Sequence, residues 1–156
     1  MKKKTKIFIS IMLFFVVTFV LYHSFWHFVV LAKSEEFSNA DEFQEIHENL
    51  SYLLTDGEIV YNVEYPFYLS LTGNLAVQAN EGDFALIIWP QVFGATTFGF
   101  MMFNSENNQS YEIELDENRN ALDEDFLPVV NEHSEIIDYL FERAYKMWGI
   151  DSHGDL

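Results

Sequence analysis

The chain has no cysteine, and that absence removes several kinds of chemistry at once. Disulfides, thiolate metal sites, cysteine nucleophiles and acylated cysteines are all excluded, so an exported domain would have to be held by its core alone. Basic residues are scarce as well. Eight Lys and Arg stand against 25 Asp and Glu, for a net charge of −17. A chain so acidic repels phosphates rather than releasing counterions from them, which argues against a nucleic-acid partner. With three prolines and seven glycines there is no low-complexity segment, and no internal repeat is visible. Catalytic signatures are missing too. No G-x-S-x-G occurs, and the small stretch Gly94–Gly99 lacks the Lys of a phosphate loop. His133 has Glu132 and Ser134 as neighbours, but adjacent residues on a helix point in different directions and form no triad. No cofactor is implied, and an enzyme is not expected.

The most informative feature present is the run from Ile7 to Ala32, apolar apart from a few small polar residues and His23 and His27, and preceded by Lys2, Lys3, Lys4 and Lys6. About 20 apolar residues at 1.5 Å each cross the ~30 Å hydrocarbon layer, so this run reads as a transmembrane helix with the lysines on the cytoplasmic side. All 25 acids follow Lys33, and with four bases there the remainder carries a charge of −21. Tyr22, His23, Phe25, Trp26 and His27 would form an aromatic belt at the outer interface. Val30-Leu31-Ala32 resembles a signal-peptide cleavage site, yet the apolar segment outruns the usual 7–15 residues, which favours an uncleaved anchor. The organisation expected is a cytoplasmic N-terminus at 1–6, a signal anchor at 7–32 with the lipid bilayer as its partner, a connector at 33–39, an extracytoplasmic domain at 40–149 and a flexible tail at 150–156. The protein is then a single-pass protein of the cell membrane, with its C-terminal domain outside.

Within the domain, Phe43, Ile46, Leu50, Leu53 and Leu54 recur at helical spacing, with Thr55-Asp56-Gly57 as a stop. After Gly57 the period changes to two. Ile59–Val63, Phe67–Leu71 and Leu75–Ala79 read as strands, with hairpin turns at Thr72-Gly73-Asn74 and Asn80-Glu81-Gly82. Phe84–Trp89 and Phe98–Phe103 are apolar on both faces and should lie inside the sheet, whereas Tyr111, Ile113 and Leu115 alternate with acids and should be peripheral. Ile136, Ile137, Leu140, Phe141, Ala144, Tyr145 and Trp148 form the stripe of a closing helix, capped by Asn131 or Ser134 and ended by Gly149. The expected fold class is α+β: transmembrane helix, helix, antiparallel meander of five or six strands, C-terminal helix. At the level of layout alone, helix followed by meander is similar to cystatin-like or nuclear-transport-factor-like order.

Two candidate sites follow. Phe84, Trp89, Phe93, Phe98, Phe100, Met101, Met102 and Phe103 are more large apolar residues than a small domain readily covers, and an exposed apolar face marks a contact surface. Trp89, Phe98, Phe100 and Met102 are the candidate binding residues, with another envelope protein as the expected partner of an accessory, sensor or inhibitor domain. The alternatives are a domain binding a small ligand or Ca²⁺ and, below that, an envelope hydrolase using paired carboxylates. For the cation, Asp116, Asn118 and Asn120 match the opening of a calcium loop, but Ala121 stands where that loop needs Gly and Leu127 where it needs Glu. An Asx turn explains the same residues, so no metal is expected.

Overall fold

The computed structural model describes residues 3–39, 42–47, 50–79, 82–104 and 109–151. A single helical rod opens the chain: α1 (Lys3–Phe25), a π-helical turn (Trp26–Leu31) and α2 (Ala32–Phe37). From Ile7 to Leu21 its large apolar side chains are exposed on every side, and the rod is long and apolar enough to cross a membrane. Thr18 returns its hydroxyl to the Phe14 carbonyl at 2.9 Å, which satisfies that polar group within the helix. Further along, Trp26, Val30, Ser34 and Phe37 are buried. A stripe at four-residue steps drifts around an α-helix of about 3.6 residues per turn, and one wider turn takes up the drift. Residues 33–37, expected as connector, thus continue the helix, because Phe37 has a place in the core.

Seven strands follow, each antiparallel to the next in one meander: β1 (Gln44–His47), β2 (Ser51–Asp56), β3 (Ile59–Glu64), β4 (Asn74–Ala79), β5 (Phe84–Trp89), β6 (Thr97–Asn104) and β7 (Gln109–Leu115). The α+β class stands, with seven strands in place of five or six. The helix expected across Phe43–Leu54 is absent. Instead β2 pairs with β3 from Ser51↔Glu64 to Asp56↔Ile59, around a two-residue loop with Gly57 at φ +63°. Gly57 was therefore the first residue of a hairpin loop and not a helix stop. Three- and four-residue spacing had also suited this segment, but Tyr52 and Leu54 point inward together while Leu53 points away, which only a strand permits. The helix that precedes the meander is instead the end of the rod, with Phe37 in the core. Phe67–Leu71 is no strand either. β3 pairs directly with β4, and the segment between them leaves the sheet to meet the rod. Of the turn expected at Asn80-Glu81-Gly82, only Gly82 is among the described residues.

The register aligns one row across six strands: Leu54, Tyr61, Val77, Leu86, Phe100 and Ile113. All six are buried. Over them lie α3 (Leu127–Glu132), with Pro128 in its first turn, and α4 (Ser134–Trp148). Neither Asn131 nor Ser134 caps α4. His133 joins the two helices at a bend, its backbone N–H reaching the carbonyls of Val129 and Val130. Gly149 ends α4 at φ +73°, as expected. Ile137, Leu140, Phe141 and Ala144 press onto the sheet, and Phe98 meets Phe141 at 5.0 Å between ring centres. Ile150, expected in a frayed tail, is buried in this core, while residues 152–156 lie outside the described part.

Candidate functional site

Among the described residues, the helices that pack on the sheet cover one face. The opposite face carries the alternate residues of β2 to β7, in two rows: Leu53, Asn62, Ala76, Ile87, Gly99 and Glu114, and beside them Thr55, Val60, Gln78, Ala85, Met101 and Glu112. Leu53, Val60, Ile87 and Met101 are half-buried there, and Phe103 is exposed. Small residues at Ala76, Ala85 and Gly99 keep the middle of this face flat.

Trp89 lies across that flat region. A Cβ on Gly99 would come within 2.8 Å of the Trp89 ring, so the glycine is what lets the indole lie on the sheet. The ring walls a cavity of about 210 Å³ together with Thr97, Phe98, Glu112, Glu114, Leu115 and Leu122. Glu112 and Glu114 are two residues apart on the edge strand β7 and point to the same side. Both are exposed.

The four candidate binding residues divide between the faces. Trp89 is on the open one. Phe98 and Phe100 are on the covered one, 3% and 0% exposed, and serve the core. Met102 is half-buried on the rim of the same covered face. Both apolar strands do sit inside the sheet, but a strand's period of two sends alternate side chains to opposite sides, and the sequence alone does not say which side the helices take. Ile87, Met101 and Val60 were missed for that reason, and Leu53 because its segment had been read as a helix.

Asp116, Asn118 and Asn120 form the turn after β7. One carboxylate oxygen of Asp116 accepts the backbone N–H groups of Asn118 and Asn120, each at 2.8 Å, as in an Asx turn. Arg119, at φ +65°, pairs with Asp138 and lies 4.8 Å from the centre of the Phe141 ring. Among the described residues no three His, Asp or Glu side chains are grouped to hold a metal. His133 packs against Phe84 and Phe100 and bonds the Val129 carbonyl, so it works at the helix bend.

A second set of contacts joins the domain to the rod. The Tyr22 hydroxyl donates to the Tyr68 carbonyl at 2.6 Å, and the Trp26 indole N–H reaches the carbonyls of Phe67 and Ser70 at 3.3 and 3.2 Å. His23 Nδ1 lies 3.1 Å from the Tyr68 hydroxyl. Phe25 stacks on Phe93, and Lys33 donates to the Gln91 carbonyl at 2.9 Å. Thr72 ties the two clasping segments together through the Pro90 carbonyl. The electrostatics are one-sided. Arg119, Arg143 and Lys146 are paired with Asp138, Asp56 and Glu142, so the cations of the domain are spent within it. No family model, curated protein or solved structure matches the chain.

Proposed function

We propose that this chain is a membrane-anchored, non-enzymatic binding domain, held on the outer side of the cell membrane, whose open sheet face docks another envelope protein. The observation that carries the proposal is the face bearing Leu53, Val60, Ile87, Met101 and Trp89, which no helix among the described residues covers although the other face is sealed. Apolar surface grouped in this way is characteristic of a contact site. Its border is acidic, with Glu112 and Glu114 beside the indole, so the complementary partner has an apolar patch edged by Lys or Arg. One such side chain would fit the Trp89 cavity, where an aromatic face and two carboxylates favour a cation.

Retention of the N-terminal segment is part of the same proposal. Cleavage after Ala32 would remove Trp26 and Val30, which are 8% and 1% exposed because the domain packs around them. Lys4 and Lys6 at the far end of the rod favour a cytoplasmic N-terminus.

The test is crosslinking of the intact chain in its own membrane. Met101→Asp should abolish the crosslinked partner while leaving the melting temperature nearly unchanged. Full crosslinking by that variant, or a recovered chain that begins after Ala32, would contradict the proposal.

A second reading rests on an open cleft of about 480 Å³ lined by Leu31, Glu35, Ser38, Asn39, Tyr52 and Tyr65. The Ser38 and Tyr65 hydroxyls meet there at 2.5 Å, and two tyrosine rings beside a carboxylate suit a small polar ligand. Loss of ligand-induced stabilisation in Tyr52→Ala would support that reading.

A further inference from the structure

The segments that meet the rod turn backbone carbonyls and the Tyr68 ring toward it and leave other large apolar side chains open. Phe67, Leu69 and Phe93 are 76%, 85% and 71% exposed, and Phe28 on the rod beside them is 81% exposed. Leu71 adds to the same surface. The two segments meet the rod between Tyr22 and Trp26, where Tyr22 bonds the Tyr68 carbonyl, Trp26 the Phe67 and Ser70 carbonyls, and Phe25 stacks on Phe93; Phe28 follows two residues further along the rod. Their height along the rod identifies what covers them. Twenty residues separate Lys6 from Trp26, about 30 Å of α-helix, which equals the thickness of the hydrocarbon layer. With the lysines held at the inner surface, the clasp comes level with the outer boundary of the hydrocarbon.

We propose that Phe67, Leu69, Phe93 and Phe28 form an apolar collar embedded in the outer leaflet, with lipid acyl chains as its occupant; this rests on the reading of the rod as a retained anchor. The collar holds the domain against the bilayer in one orientation. The π turn and α2 reinforce this, because the helix enters the core without a flexible joint. So acidic a domain gains nothing from anionic headgroups, so its seating depends on apolar insertion and is insensitive to salt.

The absence of cysteine permits single labels on the full chain. Leu69→Cys and Phe93→Cys, labelled with a fluorophore and reconstituted into phosphatidylcholine vesicles, are compared with Phe14→Cys in the span and with Glu58→Cys in the β2–β3 hairpin at the opposite end of the sheet. Labels at 69 and 93 should be quenched by nitroxide-bearing lipid to an extent approaching that at 14. Iodide should quench them severalfold less than the label at 58, both in low salt and in high salt. Iodide quenching at 69 and 93 equal to that at 58, with 14 still in lipid, overturns the collar and leaves the anchor standing. Labels at 69 and 93 shielded from both quenchers mean that protein covers them, and this also overturns it. Iodide access at 14 removes the anchor and the collar together.

Discussion

Trp148 donates its indole N–H to the carbonyl of Phe37 at 3.0 Å, so the last turn of the closing helix is bonded to the end of the N-terminal rod. The same indole packs edge-on against Tyr61, with 5.7 Å between ring centres. One side chain therefore joins the rod, the sheet and α4, so the two ends of the domain are tied together.

Replacing Trp148 with Phe keeps most of that packing and removes the bond. The expected cost is about 1 kcal/mol, the net value of a hydrogen bond in a folded protein. Thermal melting of the full chain in detergent measures it. An unchanged midpoint would mean that the link between the two ends of the domain contributes nothing to its stability.

Neighbouring residues on β6 should behave in opposite ways. Phe100 is wholly buried under the helices, while Met101 is half-buried on the open face. Phe100→Asp places an unpaired carboxylate in the core and should cost roughly 3–5 kcal/mol, enough to unfold a domain of ordinary stability. Met101→Asp should cost less than about 1 kcal/mol. Equal losses in urea titrations would show that both faces are covered.

Two glycines make a similar contrast. A Cβ at Gly73 would lie 2.1 Å from the Glu64 carbonyl oxygen, a backbone atom that cannot move without breaking the β3–β4 pairing. Gly73→Ala should cost roughly 3 kcal/mol or more, at the upper end for single substitutions. At Gly99 the obstacle is the outer edge of the Trp89 ring, which can tilt away, so Gly99→Ala should cost about 1–2 kcal/mol. The larger consequence there is loss of the flat indole surface and, with it, weaker partner crosslinking.

Alkaline pH should unfold the domain through its buried phenols. Burial pushes the Tyr61 pKa above the usual tyrosine value of about 10, while the hydrogen bond from Arg143, 2.8 Å long, pulls it down. Burial also raises Tyr65, against the bond to Ser38. A folded-state value above the unfolded one gives stability that is complete below pH ~10 and is lost as the pH rises through the folded value. Tyr61→Phe should start lower at neutral pH by about 1 kcal/mol, yet decline less steeply above pH ~10. Parallel pH profiles for the two proteins would contradict this.

The legible parts of the sequence were those with one periodicity and one possible partner. The apolar run from Ile7 reads as a helix by length and composition, and among the described residues nothing covers it. The stripe from Ile136 to Trp148, ended by Gly149, was equally unambiguous. So was the edge position of Tyr111, Ile113 and Leu115, because acids alternate with them. Around Phe43–Leu54 the letters suited two periods, and pairing with β3 across Gly57 settled the matter, a contact that depends on a neighbouring strand.

The candidate site was half legible. Composition alone required that the aromatic excess between Phe84 and Phe103 be buried or used, and parity along each strand separated Trp89 and Met101 from Phe98 and Phe100 without saying which pair would be outside. Tertiary structure made that choice, since α3 and α4 seal one face of the sheet and, among the described residues, no helix packs on the other. It also brought Phe67, Leu69 and Phe93 to the level of Trp26. Loop side chains acquire a shared direction only when the strands they connect are in register and the rod is clasped between them.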